Sequence, residues 1–483
     1  MMAKAKFRKT RIVCTIGPAT NSPEMMVKLI YEGMDVARLN FSHGNRDEHR
    51  RTIRTLRSVS SQTGKEIGIL QDLGGPKIRL GQLNGRKRRL KPGEIIRLVP
   101  GEHAEEDAIP VNYPDLIRDI EEGNPILLAD GTVQLTVLEK KGMSAVCEVV
   151  VGGVIYSRKG VNLPLSKLSV PAFTEKDRGD LMVGIEEKVD FVALSFIRSL
   201  EDIRDARNII SQAAYDPMLV AKIEKPQAVE NFEEILSAVD AVMVARGDLG
   251  VEMPLEEVPM IQKKIIRSTR QAGKPVITAT QMLGSMLESP RPTRAEATDV
   301  ANAILDGTDA LMLSDETAMG AYPVEAVSTL DRIARTTEPY LNDEAFLGEK
   351  VSGMLQTTPA GISRAACLLA LDLKAAAIVA ATSSGNTARL VARFRSCAPV
   401  MALTDSVETQ RQLSLSWGVI PHLVNSFVDT DQMFASARCW AIEKGVAKPG
   451  DCIIITAGVP VGMAGTTNLL KVMEINKIEM PSL

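Results

Sequence analysis

Eight times along this chain a short β-branched apolar run closes on polar or charged residues, and an amphipathic segment follows. The runs are "RIVCTIGP", "DVARLNFS", "EIGILQDL", "DFVALSFIR", "MLVAKIEK", "DAVMVARGD", "PVITATQ" and "DALMLSDE". Their apolarity is nearly continuous, the pattern of strands buried on both faces in parallel sheets. Helix signals stand between them: Ser22-Pro23-Glu24 opens "MMVKLIYEG", and "SLEDIRDARNIIS" and "PTRAEATDVANAILDG" follow later runs. A strand-helix unit repeated eight times predicts a closed barrel, α/β in class and of the (βα)8 TIM type.

The spacing breaks once. The third run ends at Asp72 and the fourth does not begin until about Asp190. Between them lie turn signals and short strand patterns, such as "LKPGEIIRLVPGE", "NPILLADGTVQLTVLEK" and "SAVCEVVVGGVIYSRKG", with almost no helical periodicity. They predict a small all-β domain growing from a barrel loop. Its entrance is "LQDLGGPKIRL", residues 70–80, where a strand reaches a carboxylate and then meets two glycines and a proline. After about residue 345 the runs "AAAIVAAT", "APVMALT" and "DCIIIT" alternate with helices and predict a separate doubly wound α/β domain. The expected divisions are a barrel at 1–74 and 173–344, an insert at 75–172 and a C-terminal domain at 345–483. That agrees with the two to four domains expected of a chain of 483 residues.

Composition narrows the partners. Lys plus Arg (57) nearly balances Asp plus Glu (60), which argues against a nucleic-acid-binding face and for a small-molecule partner. Cys14, Cys147, Cys367, Cys397, Cys439 and Cys452 lie far apart with no CxxC pair, so neither a disulfide framework nor a zinc knuckle is expected. "MMAKAKFRKTR" runs into no signal-like apolar region, and no run is long enough to span a membrane, so a soluble cytoplasmic protein is expected. The basic run "GRKRRLKPG" reads as a solvated β-turn.

In a βα barrel the chemistry gathers at the C-terminal ends of the strands. The residues closing the eight runs are Arg38, Asn40 and Ser42; Asp72; Ser195 and Arg198; Lys222 and Glu224; Arg246 and Asp248; Thr280 and Gln281; Ser314 and Glu316. They predict a pocket of carboxylates interleaved with fixed cations. Glu224 and Asp248, from neighbouring strands, suit a magnesium-like cation, with Lys222 and Arg38 placed to stabilise charge on a phosphoryl group. Divalent metal, lysine and arginine together suggest phosphoryl transfer. Lys222 and Glu224, two residues apart on one strand face, also fit a structural ion pair, and both readings stay open at this level. No GxxxxGK[ST] loop and no HExxH helix occurs. Arg246-Gly247-Asp248 closes a buried-looking strand, which disfavours an adhesion tripeptide.

The motifs "CTIGPAT", "ARLNFSHG", "AKIEKPQAVENFEEI", "MVARGDLGVE", "GKPVITATQMLGSM", "PTRAEATDVANAILDGTDALMLSDETAMGAYP" and the late "GTTN", in this order over nearly the whole chain, resemble the pyruvate kinases. The resemblance implies a βα barrel with a small β-barrel domain inserted after its third strand and an α/β domain at the C-terminus. It also implies transfer of the phosphoryl group of phosphoenolpyruvate to ADP, giving pyruvate and ATP. By the family pattern Glu224 and Asp248 resemble ligands of Mg2+ or Mn2+, and Lys222 resembles the lysine that bridges to the moving phosphoryl group. Arg38 resembles the phosphate clamp, and Gly247 with Asp248 the seat of the substrate carboxylate. Thr280 resembles the threonine on the protonation face, with Ser314 and Glu316 in its relay. Pro18, Asn40, His43 and Arg79 resemble nucleotide contacts, so the insert would act as a lid over ADP, with Gly74-Gly75-Pro76 as its hinge.

The resemblance carries three further expectations. Thr382, Ser383, Ser384, Gly385, Asn386 and Thr387 resemble a loop that binds an activating sugar phosphate or nucleotide, although ordinary N-capping explains the same residues. A homotetramer is expected from the family. Asn40, Ser42, Asp72 and the carbonyl of Leu73 resemble a potassium site, yet where potassium-dependent members carry "DTKGPEIR" this chain reads "DLGGPKIR". Lys77 thus replaces an acid, and K+ is expected not to be required. A magnesium-dependent lyase or aldolase would share barrel, metal and enolate, and a dead sensor would have lost Lys222, Glu224 or Asp248; coupling of ADP to ATP formation separates these readings.

Overall fold

A computed structural model describes residues 7–83, 87–105, 107–341, 343–348, 357–460 and 466–476. Gly85 and Arg86 of the basic run, Gly465 of "GTTN", and parts of the expected C-terminal division lie outside them.

The eight apolar runs become eight parallel strands: Arg11–Thr15, Val36–Asn40, Gly68–Asp72, Phe191–Leu194, Met218–Ile223, Ala241–Ala245, Val276–Ala279 and Ala310–Leu313. They pair in sequence order, and the first closes on the eighth with Arg11 opposite Ala310. Strand side chains fill two layers because each strand has two buried faces. One set, with Val13, Leu70, Val220, Met243 and Met312, packs inside the barrel. The other meets the surrounding helices. The helices begin where the sequence signals them: Ser22 caps Pro23–Glu32 and Thr293 forms a capping box with Glu296 at the start of Arg294–Leu305.

Between the third and fourth barrel strands the chain forms a six-stranded sheet and a two-stranded ribbon around one core that includes Leu98, Val111, Leu135, Cys147 and Ile155. "KRRL" of the basic run is a strand of that ribbon, paired with Gly153–Tyr156, and among the described residues of the run Pro92 and Gly93 form a turn. The C-terminal region is a five-stranded sheet in the order Val419–Leu423, Val400–Thr404, Ala377–Ala381, Cys452–Gly458, Thr467–Glu474, the last strand antiparallel and both faces covered. Sequence reading found three of these strands. Val419–Leu423 holds Pro421 and His422 and is half buried, so it lacks the apolar run that marks the others.

The C-terminal domain also completes the barrel. Leu415 is buried in the layer inside the barrel, and Arg395 enters the same lower rim to pair with Asp309 at 2.8 Å. None of the six cysteines is placed in a disulfide. Among the described residues no helix is long and apolar enough to cross a membrane.

Candidate active site

The upper rim of the barrel gathers a compact cluster of charge. The fifth strand ends in Lys222-Ile223 and Glu224 follows it directly, with the Lys222 and Glu224 side chains meeting on the same side. The Lys222 ammonium lies 2.8 Å from Glu224 Oε1 and 3.2 Å from Asp72 Oδ1, and it donates to Ser195 Oγ at 2.7 Å. Arg38 takes the other oxygen of Asp72, with Nε at 2.7 Å, and its Nη1 donates to Thr15 Oγ1 at 2.9 Å. Five strand ends, the first to the fifth, therefore meet through side chains at one point.

Burial sets the electrostatics. It opposes charge on Lys222, but Asp72, Glu224 and Asp248 overcome that cost and raise its pKa, so the ammonium stays charged. For Asp72 burial likewise opposes charge, and Lys222 and Arg38 override it and hold the carboxyl below its ordinary value. Glu224 goes the other way. Buried, and facing Asp248, it is pushed up to about 7 despite Lys222. Its Oε2 accepts from the Phe196 N–H at 2.8 Å, but the buried Oε1 accepts no hydrogen bond although the ammonium stands beside it. An under-satisfied carboxylate oxygen next to a second acid fits a divalent cation. Among the described residues no group of three His, Cys, Asp or Glu side chains is placed to hold a metal, so a cation on Glu224 and Asp248 would draw its other ligands from different oxygens, water and substrate among them.

Asp248 sits in the short helix Arg246–Glu252 that follows the sixth strand, and it lines a cleft of about 500 Å³ between the barrel and the insert. Lys77, Arg79, His43 and Lys225 share that cleft. A second cavity of about 620 Å³ holds Pro18, Arg38 and Asn40, and meets the first at His43 and Asp315. The four residues expected to contact a nucleotide thus lie along two adjoining cavities.

Other expected residues are joined differently. The Gly247 N–H donates to Thr280 Oγ1 at 2.6 Å, and Thr280 has a left-handed backbone, φ 69°. Glu316 is buried and accepts from the backbone N–H groups of Leu283 and Ser314 at 3.1 and 2.7 Å, which ties the seventh and eighth strand ends together. Ser314 Oγ is buried without a hydrogen bond. Among the described residues no hydrogen bond links Thr280 to Ser314 or Glu316.

The residues expected to hold a monovalent cation also bond within the protein. Asn40 Oδ1 accepts from the Ser42 N–H at 3.0 Å, the Leu73 carbonyl accepts from Ser195 Oγ at 2.7 Å, and both Asp72 oxygens face protein cations. Lys77 reaches the cleft but pairs with no carboxylate among the described residues; burial and then Lys222 and Arg79 lower its pKa. The loop at 382–387 follows the strand Ala377–Ala381. Gly385, at φ 80°, starts the seven-residue helix Asn386–Ala392, Ser383 O accepts from Thr409 Oγ1 at 2.6 Å, and Ser384 O accepts from Arg389 at 2.7 Å. Thr387 Oγ1 meets Thr467 Oγ1 at 2.6 Å, Thr382 bonds through its N–H to Leu403 O, and Ser383, Ser384 and Asn386 remain exposed.

Two contributors escaped the sequence. Thr15, which holds Arg38, closes the first strand and was discoverable by the same strand-end rule. Phe196 left no signal, since it acts through a backbone N–H aimed by φ 58°.

A family model described as "Pyruvate kinase, barrel domain" matches residues 7–327, and one described as "Pyruvate kinase, alpha/beta domain" matches 360–473. The chain is 43% identical over 472 residues to the pyruvate kinase of Clostridium acetobutylicum, covering 97% of this chain and 100% of that one. With the pyruvate kinase of Geobacillus stearothermophilus it shares 46% identity over 477 residues, covering 98% and 81%. It superposes on the crystal structure of a pyruvate kinase from Cryptosporidium parvum with a TM-score of 0.91 at 36% identity, covering 97% of this chain and 96% of that one.

Proposed function

Because the chain belongs to the pyruvate kinase family, we propose that it moves the phosphoryl group of phosphoenolpyruvate to ADP with the cluster on the upper rim, and that Lys222 is its principal electrostatic group. The observation that carries this reading is the charged Lys222 ammonium, fixed by Asp72, Glu224 and Ser195. Such an ammonium meets charge developing on a transferring phosphoryl group without having to reorganise. Arg38, anchored on Asp72 and Thr15, clamps the phosphate. Glu224 and Asp248 hold Mg2+ or Mn2+, which when bound neutralises phosphoryl and carboxylate oxygens. The substrate carboxylate takes the Gly247 N–H, which frees a lone pair of Thr280 Oγ1 to hold the water that carries a proton to the enolate, while the hydroxyl's own proton stays on the Ala279 carbonyl. Glu316 and Ser314 hold the neighbouring strand ends in place.

ADP lies along the adjoining cavities, with its base side near Pro18 and Asn40 and its phosphates toward His43 and Arg79, and the insert closes over it and excludes water. Potassium is not required, because Lys77 supplies positive charge in the same cleft and both Asp72 oxygens already face protein cations. The exposed hydroxyls of Ser383 and Ser384 receive a sugar phosphate or nucleotide effector, and the protein works as a cytoplasmic homotetramer. The deciding test is pyruvate release from phosphoenolpyruvate in a coupled assay: release that needs both ADP and magnesium is expected, and release without ADP would point to hydrolysis, with water as the phosphoryl acceptor, instead.

A further inference from the structure

The fourth barrel strand, Phe191–Leu194, ends in a corner, Ser195-Phe196, that touches both reactive groups at once. Ser195 Oγ donates to the Leu73 carbonyl at 2.7 Å and accepts from Lys222 Nζ at 2.7 Å. The next residue sends its N–H to Glu224 Oε2 at 2.8 Å. Gly75 of the entrance to the insert backs directly on this corner: a Cβ there would stand 2.8 Å from the Phe196 ring and 3.2 Å from Ser195 Cβ.

We propose that Ser195 is a positioning residue for phosphoryl transfer: its hydroxyl, oriented by the Leu73 carbonyl, aims the Lys222 ammonium and ties it to the strand end that leads into the insert. A hydroxyl has one proton. Spent on the Leu73 carbonyl, that proton leaves the oxygen lone pairs to face the ammonium, so the serine can act only as acceptor toward Lys222. Asp72 and Glu224 attract the ammonium too, at 3.2 and 2.8 Å, and both are charged partners. Ser195 is the neutral partner that fixes its direction without weakening its charge. Ser195 itself does not touch the reacting atoms; it works through Lys222.

This inference rests on the role given to Lys222 above, and the test separates the two. Ser195→Ala and Ser195→Thr are assayed beside the parent for overall turnover and for ketonisation of added enolpyruvate, a proton transfer that needs no phosphoryl movement. The Ala variant is expected to lose ten- to a hundredfold in kcat with KM for phosphoenolpyruvate changed less than threefold, and to ketonise enolpyruvate at the parental rate. The Thr variant, which keeps the hydroxyl, is expected to recover most of the loss. A kcat within threefold of the parent, or equal losses in both reactions with no recovery by Thr, would overturn the inference. If the parent itself fails to couple phosphoenolpyruvate to ADP, it is the reading of the whole site that fails.

Discussion

At the scale of single residues, two lysines carry predictions, Lys222 on catalysis and Lys77 on the response to potassium. Lys222→Ala removes a charge that acts mainly in the transition state, so kcat is expected to fall by roughly 100-fold or more while KM for phosphoenolpyruvate changes far less. A loss under tenfold in steady-state assays would remove the lysine from its role. Lys77 poses a question of sign. Two like charges about 4 Å apart at an effective dielectric near 20 repel by roughly 4 kcal/mol, so a second monovalent cation in the cleft is opposed. Activity in a tetramethylammonium buffer is therefore expected to be high, with stimulation by added potassium below about tenfold, and Lys77→Glu is expected to create a potassium requirement. The sequence made both lysines visible as charges at strand or hinge positions. It did not reveal that Lys77 leaves Asp72 to Arg38 and Lys222, because that depends on which ammonium the barrel rim carries closest.

Elements decide how those residues are held. The hinge glycines were read as freedom to move, but Gly75 also answers to packing: it has φ 61° and abuts Ser195 and Phe196. Gly64 offers a control, since it caps its helix at φ 66° with nothing within 4 Å of a would-be Cβ. Gly75→Ala pays the left-handed backbone cost of about 1–2 kcal/mol and a steric cost besides, whereas Gly64→Ala pays the first alone. Urea denaturation should thus show a larger loss for Gly75→Ala, and activity should fall only in that variant, because only there does the catalytic corner shift. Equal losses and unchanged activity in both would reduce the hinge to a flexible link. The barrel strands themselves were legible because burial on two faces forces continuous apolarity. The strand Val419–Leu423 was not, being half exposed and interrupted by Pro421.

On the scale of the whole molecule the three regions depend on one another. The lower rim of the barrel is sealed by the C-terminal domain: Leu415 fills its floor, Arg395 pairs with Asp309, and the Trp417 N–H donates to Asp309 Oδ1 at 3.1 Å. An effector on the loop at 382–387 would speak to the barrel through this docking. Titrating sugar phosphates and AMP is expected to lower the cooperativity toward phosphoenolpyruvate, and Ser384→Glu to abolish that response; unchanged curves in both leave the loop a helix cap. Acid stability has a second anchor on the same rim. Asp35 is buried, which opposes its charge, yet Arg8 at 2.8 Å and Arg11 at 3.4 Å depress it to about 2. A carboxylate depressed in the folded state adds stability above its unfolded pKa of about 3.9, and that stability is lost as pH falls toward 2. Asp35→Asn is expected to cost about 2 kcal/mol at pH 7, with the gap to the parent closing between about pH 5 and pH 2 in denaturant titrations.

The order of eight apolar runs, the interruption after Asp72 and the identity of the charges at strand ends were all written in the sequence, because each follows from local periodicity or from the rule that barrel chemistry gathers at one end. What needed tertiary structure was pairing. Thr280 bonds to Gly247 instead of Glu316, Glu316 clamps two strand ends, and Ser195 links Lys222 to the Leu73 carbonyl. Each of these joins residues from different strands across the rim. Such contacts depend on the closure and register of the whole sheet and on backbone groups that carry no residue identity, so no reading of local pattern reaches them.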